Sequence, residues 1–100
     1  MTGAARWSEQ HLGYCFRDTD LLERALTHKS RGARNNERFE FLGDSVLGCV
    51  IAAELCQQEV AADEGTLSRM RALLVRRETL AELACELGLG DQLNLGGGEL

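Results

Sequence analysis

Apolar residues recur along this chain at intervals of three and four for most of its length, a spacing that places them on one face of an α-helix. Five helices are predicted from that pattern and its punctuation. The first has Trp7 just ahead of Ser8, an apolar residue followed by an N-cap, and ends near Gly13. A second, capped by Asp18 or Thr19, carries Leu21, Leu22, Ala25 and Leu26 and stops around His28. The polar, basic stretch KSRGARNN then reads as a surface loop. Asn35 or Asn36 caps the third and longest helix, which runs to about Val60, where ADEG breaks it. Gly65 or Thr66 starts a fourth, with Leu67, Met70, Arg71 and Leu74 in helical register. Thr79 and Glu82 form a capping box for a fifth, on which Leu80, Leu83, Ala84 and Leu87 share a face and which Gly88 stops. The glycine-rich end, LGLGDQLNLGGGEL, reads either as a fraying tail or as a connector toward another element.

The third helix carries the informative pattern. On a wheel of about 100° per residue, Phe39, Leu42, Val46, Cys49, Val50 and Ala53 gather on one side as a core face. Glu37, Glu40 and Asp44 share a narrow stripe away from it, and further along that azimuth come Gly48, Ile51 and Leu55. A helix that is apolar nearly all round is the kind enclosed by others, so the acids are expected to be partly enclosed as well. Carboxylates massed in a low dielectric raise one another's pKa and need cations to compensate. Two readings stand. In one, Glu37 and Glu40 are first-turn acids favoured by the helix dipole and Asp44 pairs with an arginine. In the other, the three line one side of an all-oxygen site for Mg²⁺. Gly43 and Gly48 favour the second, since each costs about 1 kcal/mol against alanine inside a helix and suggests a close approach by something else. Phe41 lies beside the acids, off the core face, and needs cover from another helix of the chain or from a second copy across a two-fold axis.

Composition narrows the class. Leu, Ala, Glu and Arg dominate and proline is absent, which favours an all-α chain, and 100 residues fit one small domain. The formal charge of −5 argues against a nucleic-acid binder that relies on phosphate neutralisation alone. Basic residues nevertheless cluster at Arg31, Arg34 and Arg38, and again at Arg69, Arg71, Arg76 and Arg77, so local basic patches are expected. The four cysteines form no C-x-x-C pair and have no histidine at metal spacing, and Cys49 and Cys56 read as small buried apolar residues. No apolar run approaches the ~18 residues of a membrane span. The expectation is a cytoplasmic protein with reduced thiols and no membrane partner.

The run NERFEFLGDSVL, Asn36 to Leu47, resembles the signature of the ribonuclease III family, Mg²⁺-dependent endonucleases that cut double-stranded RNA. ALTHKS upstream, and DEGTLSRMRALLV and TLAELACELGLG downstream, are each similar to the corresponding family segment, in the same order and spacing. The resemblance implies an all-α, ribonuclease III-type endonuclease helical domain over residues 1–100, acting as a homodimer with the signature helix near the two-fold axis. It implies Glu40 and Asp44 as the catalytic and metal-binding carboxylates, with Glu37 and Glu64 as supporting acids of the same cleft. The implied cofactor is Mg²⁺, with Mn²⁺ as a substitute ion, and the implied partner is double-stranded RNA, in RNA processing such as that of ribosomal RNA precursors. Phe41 is the candidate dimer contact. Arg31, Arg34, Arg76 and Arg77 are candidates for RNA phosphate contacts, each weighed against a plain solvated arginine. His28 lies either near the cleft or simply at a helix end.

Two departures stand out. Phe39 replaces the leucine usual in the signature and keeps its apolar character. The family completes its metal site with an Asp and a Glu in a D-x-x-E arrangement on a later helix, and a double-stranded-RNA-binding domain usually follows. After Gly90 the acids here are Asp91 and Glu99 in a glycine-rich setting. The match is therefore to the N-terminal portion of a catalytic domain, incomplete at its C-terminal end, and weak Mg²⁺ binding with poor cleavage is expected of these 100 residues alone. The alternative is a non-catalytic dimerisation or RNA-binding module of the same fold.

Overall fold

The computed structural model describes residues 2–96 and is all-helical, with no strand named among them. Its helices are α1 (Gly3–Leu12), α2 (Thr19–Ala25), α3 (Glu37–Gln58), α4 (Glu64–Leu74) and α5 (Arg77–Glu86), with 3₁₀ turns at Lys29–Arg31 and Leu89–Gln92. No helix among the described residues is long and apolar enough to cross a membrane. Residues 97–100, the end of the glycine-rich exit with Glu99, lie outside the described residues.

Local capping explains where each helix begins, and corrects several expected boundaries. Thr2 accepts from the Ala5 amide at 3.1 Å, so α1 starts well before Ser8. Ser8 is instead fully buried inside α1, and its hydroxyl donates to the Tyr14 carbonyl at 2.8 Å, tying the chain beyond Gly13 back onto the helix. Gly13 and Gly88 do stop their helices, each in the left-handed region, at φ 67° and 65°, where a side chain would be strained. Asp18 caps α2 as expected, but that helix ends at Ala25, short of His28, because the Asn36 side-chain amide takes the Ala25 carbonyl at 2.9 Å. Helix α3 ends at Gln58 rather than Val60. Thr79 does not cap α5, which begins two residues earlier; its hydroxyl donates to the Leu73 carbonyl at 3.0 Å and joins the end of α4 to α5.

Helix α4 starts at Glu64 because Asp63 accepts from the Thr66 amide at 2.9 Å. That backbone hydrogen bond, with one from the Thr66 side chain, holds the Asp63 carboxyl below its ordinary range. A depressed carboxylate contributes stability that is present above its unfolded pKa and is lost as pH falls through the folded value. Asp63→Ala is therefore expected to melt at a lower temperature than the parent at neutral pH. The gap should close on acidification below pH ~4, the ordinary carboxylate value, as measured by circular dichroism.

The buried cluster lies at one end of the molecule. Ala5, Leu22 and Leu26 pack together with Ala4, Phe16 and Leu89 around them, uniting α1, α2 and the second 3₁₀ turn. Trp7 is also buried, and its indole N–H donates to the Leu87 carbonyl at 2.6 Å. The segment after Leu93 closes this end as a strap. Asn94 forms a parallel bridge with Thr27, donating its backbone amide to the Leu26 carbonyl at 2.8 Å and accepting from the His28 amide at 3.0 Å. Its side-chain amide donates to Glu23 Oε2 and Thr27 Oγ1, both at 3.2 Å. Gly96 then lies so close to Ser30 that a Cβ there would stand 2.5 Å from the Ser30 carbonyl oxygen. The glycine-rich exit thus neither frays nor leads away up to Gly96. Asn94→Asp removes both donors and sets a second carboxylate beside Glu23. It should cost about 1–3 kcal/mol in urea unfolding at pH 7, and less at pH 4, where protonation relieves the repulsion.

Helix α3 overturns the expectation of enclosure. It packs chiefly against α4, where Leu55 is buried, and elsewhere its apolar face is open: Leu42 is 59% exposed, Val46 53% and Val50 58%. Cys49 and Cys56, expected to be buried, are exposed as well. The whole molecule is correspondingly expanded. Its radius of gyration is 15.8 Å, against about 13 Å for a compact 100-residue domain.

Candidate active site

The start of α3 is fastened to α2 from several sides, and this sets the azimuth of the acidic stripe. Arg24 donates to the Asn35 carbonyl at 3.0 Å, and its guanidinium stands 5.0 Å from the centre of the Phe39 ring. The Asn36 amide donates to the Thr27 carbonyl at 2.9 Å, and Asn35 Oδ1 accepts from the Glu37 amide at 3.0 Å. Arg24 and Asn94 are the fastening residues that sequence reasoning missed. Neither falls in a periodic pattern or a motif whose chemistry would single it out.

Glu37 and Glu40 lie in the first turn of α3, with Asp44 one turn beyond Glu40. At that spacing, Glu40 and Asp44 have Cβ atoms about 5–6 Å apart. All three acids are exposed, contrary to the expected partial enclosure, because nothing among the described residues covers that flank of α3. The ion pairs among the described residues join Arg34 to Asp20 and Arg76 to Glu78. Glu40 and Asp44 thus stand outside any ion pair there, so the reading in which Asp44 pairs with an arginine does not hold. Two adjacent carboxylates open to water suit a hard divalent ion that keeps several waters. Within the described residues, no three Asp, Glu, His or Cys side chains converge on one point, so Glu37 does not join the other two in a closed cluster.

Glu64 stands apart from them. It lies in the first turn of α4 and lines a groove of about 190 Å³ together with Ala52, Leu55, Cys56, Ser68 and Arg71. The α3 residues of that groove begin eight positions after Asp44, about 12 Å along the helix axis.

The candidate RNA-contact arginines differ in their surroundings. Arg31 donates to the Leu95 carbonyl at 3.2 Å, and Arg34 pairs with Asp20. Arg76 donates to Thr79 Oγ1 at 3.3 Å and lies near Glu78, and Arg77 is exposed at the start of α5. His28 caps the first 3₁₀ turn, its Nδ1 accepting from the Ser30 amide at 3.1 Å. It serves as a cap and makes no contact with the acids.

A family model described as ribonuclease-III-like matches residues 18–100. The chain belongs to the ribonuclease III family. Ribonuclease 3 of Thiobacillus denitrificans is 60% identical over 92 residues, which are 92% of this chain and 41% of that protein. Ribonuclease 3 of Vibrio cholerae is 58% identical over 89 residues, 89% of this chain and 40% of that one. The chain therefore spans about two-fifths of the length of the curated relatives it matches. Among solved structures, the nuclease domain of ribonuclease III from Campylobacter jejuni superposes with a TM-score of 0.88 at 45% identity, covering 93% of this chain and 66% of that domain. A second structure of that domain gives 0.89 at 42% identity, covering 98% and 67%. The all-helical ribonuclease III nuclease fold expected from the signature is thus the fold found. The first Campylobacter structure addresses flexibility in a region involved in dimer formation of that domain.

Proposed function

We propose that this chain is the carboxylate-bearing part of a Mg²⁺-dependent endoribonuclease that hydrolyses double-stranded RNA in the cytoplasm, in processing such as that of ribosomal RNA precursors. The observation that carries the reading is the pair Glu40 and Asp44, one turn apart on α3, open to solvent and outside any ion pair among the described residues, within a ribonuclease III fold. These two carboxylates would hold the ion, Mn²⁺ serving as a substitute. When bound, a divalent ion supplies an acidified water and neutralises charge on the phosphodiester. The chain's own part is to hold two anionic oxygen donors on a rigid helix whose start is anchored by Arg24 and Asn36. Glu37 adds negative charge beside the pair without closing the site, and Glu64 lines the separate α3–α4 groove. Arg31, Arg34, Arg76 and Arg77 offer phosphate contacts to a duplex recognised by shape and backbone. The Arg34–Asp20 pair is exposed and so cheap to exchange for a phosphate.

Phe41, 81% exposed on α3, is the proposed centre of a two-fold dimer contact. Phe41→Asp should shift the protein from dimer to monomer in light scattering while leaving its helical circular dichroism unchanged, weakening association by about a hundredfold or more, as expected for a central aromatic anchor.

The deciding experiment measures cleavage of an RNA hairpin with Mg²⁺, with Mn²⁺ and with EDTA, beside duplex binding without metal. Cleavage that appears with either ion and vanishes with EDTA supports the reading. That no three metal-capable side chains converge among the described residues favours, as a second reading, a dimerisation or RNA-binding module that does not cut. Duplex binding without cleavage under any ion would select it.

A further inference from the structure

Helix α3 begins on an unfavourable turn. Glu37 and Glu40 stand three positions apart, Glu40 and Asp44 four, and like charges at those spacings weaken a helix. The N-cap gives no relief, since Asn36 makes no side-chain bond to the turn it opens and directs its amide to the Ala25 carbonyl instead. The first rung of the α3 ladder is the bond from the Glu40 amide to the Asn36 carbonyl, at 2.7 Å. One of the two proposed metal-holding residues therefore sits on the rung that opens most readily, because helix ends fray. When that rung opens, Glu40 leaves its place one turn from Asp44, and the paired oxygens are lost.

Arg24 supplies what the turn lacks. From the last turn of α2, its Nε donates at 3.0 Å to the Asn35 carbonyl, which lies one residue ahead of the α3 ladder. The same guanidinium stands 5.0 Å from the centre of the Phe39 ring, on the residue just before Glu40. The two contacts straddle Asn36, so one rigid, planar group holds the turn on both sides of its cap. Helix electrostatics do not explain its place, since a cation at a helix N-terminus opposes the macrodipole. Nor is Arg24 an ion-pair partner of the acids: the ion pairs among the described residues join Arg34 to Asp20 and Arg76 to Glu78. A guanidinium paired with Glu40 or Asp44 would compete with a metal ion, whereas one bound to backbone and a ring leaves both carboxylates free.

We propose that Arg24 is a positioning residue for the divalent-ion site: its grip on Asn35 and Phe39 keeps the first turn of α3 wound and so holds Glu40 in register with Asp44. The proposal rests on the catalytic reading of those two carboxylates. It gives Phe39 a part as well, since an aliphatic side chain there offers no π face to the guanidinium.

The test compares the 100-residue chain with Arg24→Met, which keeps the side-chain stem and removes the donors and the charge. Amide hydrogen exchange followed by nuclear magnetic resonance should show the Glu40 amide exchanging about tenfold faster in the variant, the effect of losing one charged hydrogen bond, with the mid-helix Ala52 amide unchanged. Mn²⁺ binding, read from the electron paramagnetic resonance of the free ion, should weaken about threefold, because apparent affinity falls with the fraction of molecules in the competent state. The sign is decisive. Removing a positive charge near the acids would by Coulomb's law alone tighten the binding of a cation. Phe39→Leu, which keeps the Asn35 bond and the charge, should fall between the parent and Arg24→Met in both measurements. Trp7→Phe, which removes only the Leu87 hydrogen bond, should bind Mn²⁺ as the parent does. Unchanged or tighter Mn²⁺ binding by Arg24→Met overturns the proposal and leaves the catalytic reading standing. Parent-like exchange at Glu40 overturns it too, as does a Phe39→Leu chain equal to the parent in both measurements or an equal weakening by Trp7→Phe. A parent that takes up no Mn²⁺ removes the catalytic reading itself, and the proposal with it.

Discussion

Asp44→Asn is expected to lower Mg²⁺-supported cleavage of duplex RNA by about a thousandfold without changing the melting temperature. Asparagine keeps the volume and one oxygen of the side chain but removes the negative charge, and a hard divalent ion loses an anionic donor next to Glu40. Charge stabilisation through a metal contributes several kcal/mol to such reactions, and each 1.36 kcal/mol is tenfold in rate. Stability should be untouched because Asp44 is exposed and enters no ion pair among the described residues. The reading is best made in single turnover with protein in excess over a radiolabelled hairpin, since slow cleavage is expected of these residues alone. Glu40→Gln should behave in the same way, and the pair should be far from additive if both carboxylates serve one ion. A rate for Asp44→Asn within threefold of the parent would remove the chemical basis of the nuclease reading.

How much of this was legible in the sequence depends on the range of the interaction concerned. The five helices and their order follow from spacing alone, because helical periodicity is a local property and Gly13 and Gly88 stop the chain wherever a left-handed residue is required. Boundaries were less legible, because caps compete. Ser8 and Thr2 are both sound N-caps, and the choice fell to Thr2 because Ser8 is drawn into the buried hydrogen bond to Tyr14. Likewise Thr79 could cap a helix or tie back to Leu73, and a contact across the α4–α5 turn decided it. The pairing of Thr27 with Asn94 spans 67 positions and leaves no periodic trace.

The acidic stripe was legible for the same reason as the helices, since residues at positions 37, 40 and 44 share a face whatever surrounds them. Their surroundings were not. The inference that an all-round apolar helix must be enclosed is sound physics, but it names a requirement and not the element that meets it. Among the described residues α3 finds cover from α4 along one side only, so the acids stay in water and Glu64, on α4, remains in a separate groove. The sequence pattern of α3 and its exposure are reconciled if burial is completed from outside these residues.

Trp7→Ala is expected to cost about 3–5 kcal/mol, the range for removing a buried aromatic from a core, enough to leave these 100 residues largely unfolded at 37 °C. The ring is buried, and its indole N–H ties α1 to the chain just after α5. Domains of this size have about 5–15 kcal/mol in total, and a molecule with a third more exposed surface than its mass predicts belongs at the low end of that range. Trp7→Phe separates the two contributions of the indole. It keeps most of the apolar contact but deletes the N–H that donates to the Leu87 carbonyl, so it should cost only about 1 kcal/mol. Urea unfolding followed by far-ultraviolet circular dichroism measures both. Equal losses for the two variants would mean that the Leu87 hydrogen bond, and not packing, holds α1 to α5. A loss under 1 kcal/mol for Trp7→Ala would mean that the α1–α2 cluster of Ala5, Leu22 and Leu26 stands without it.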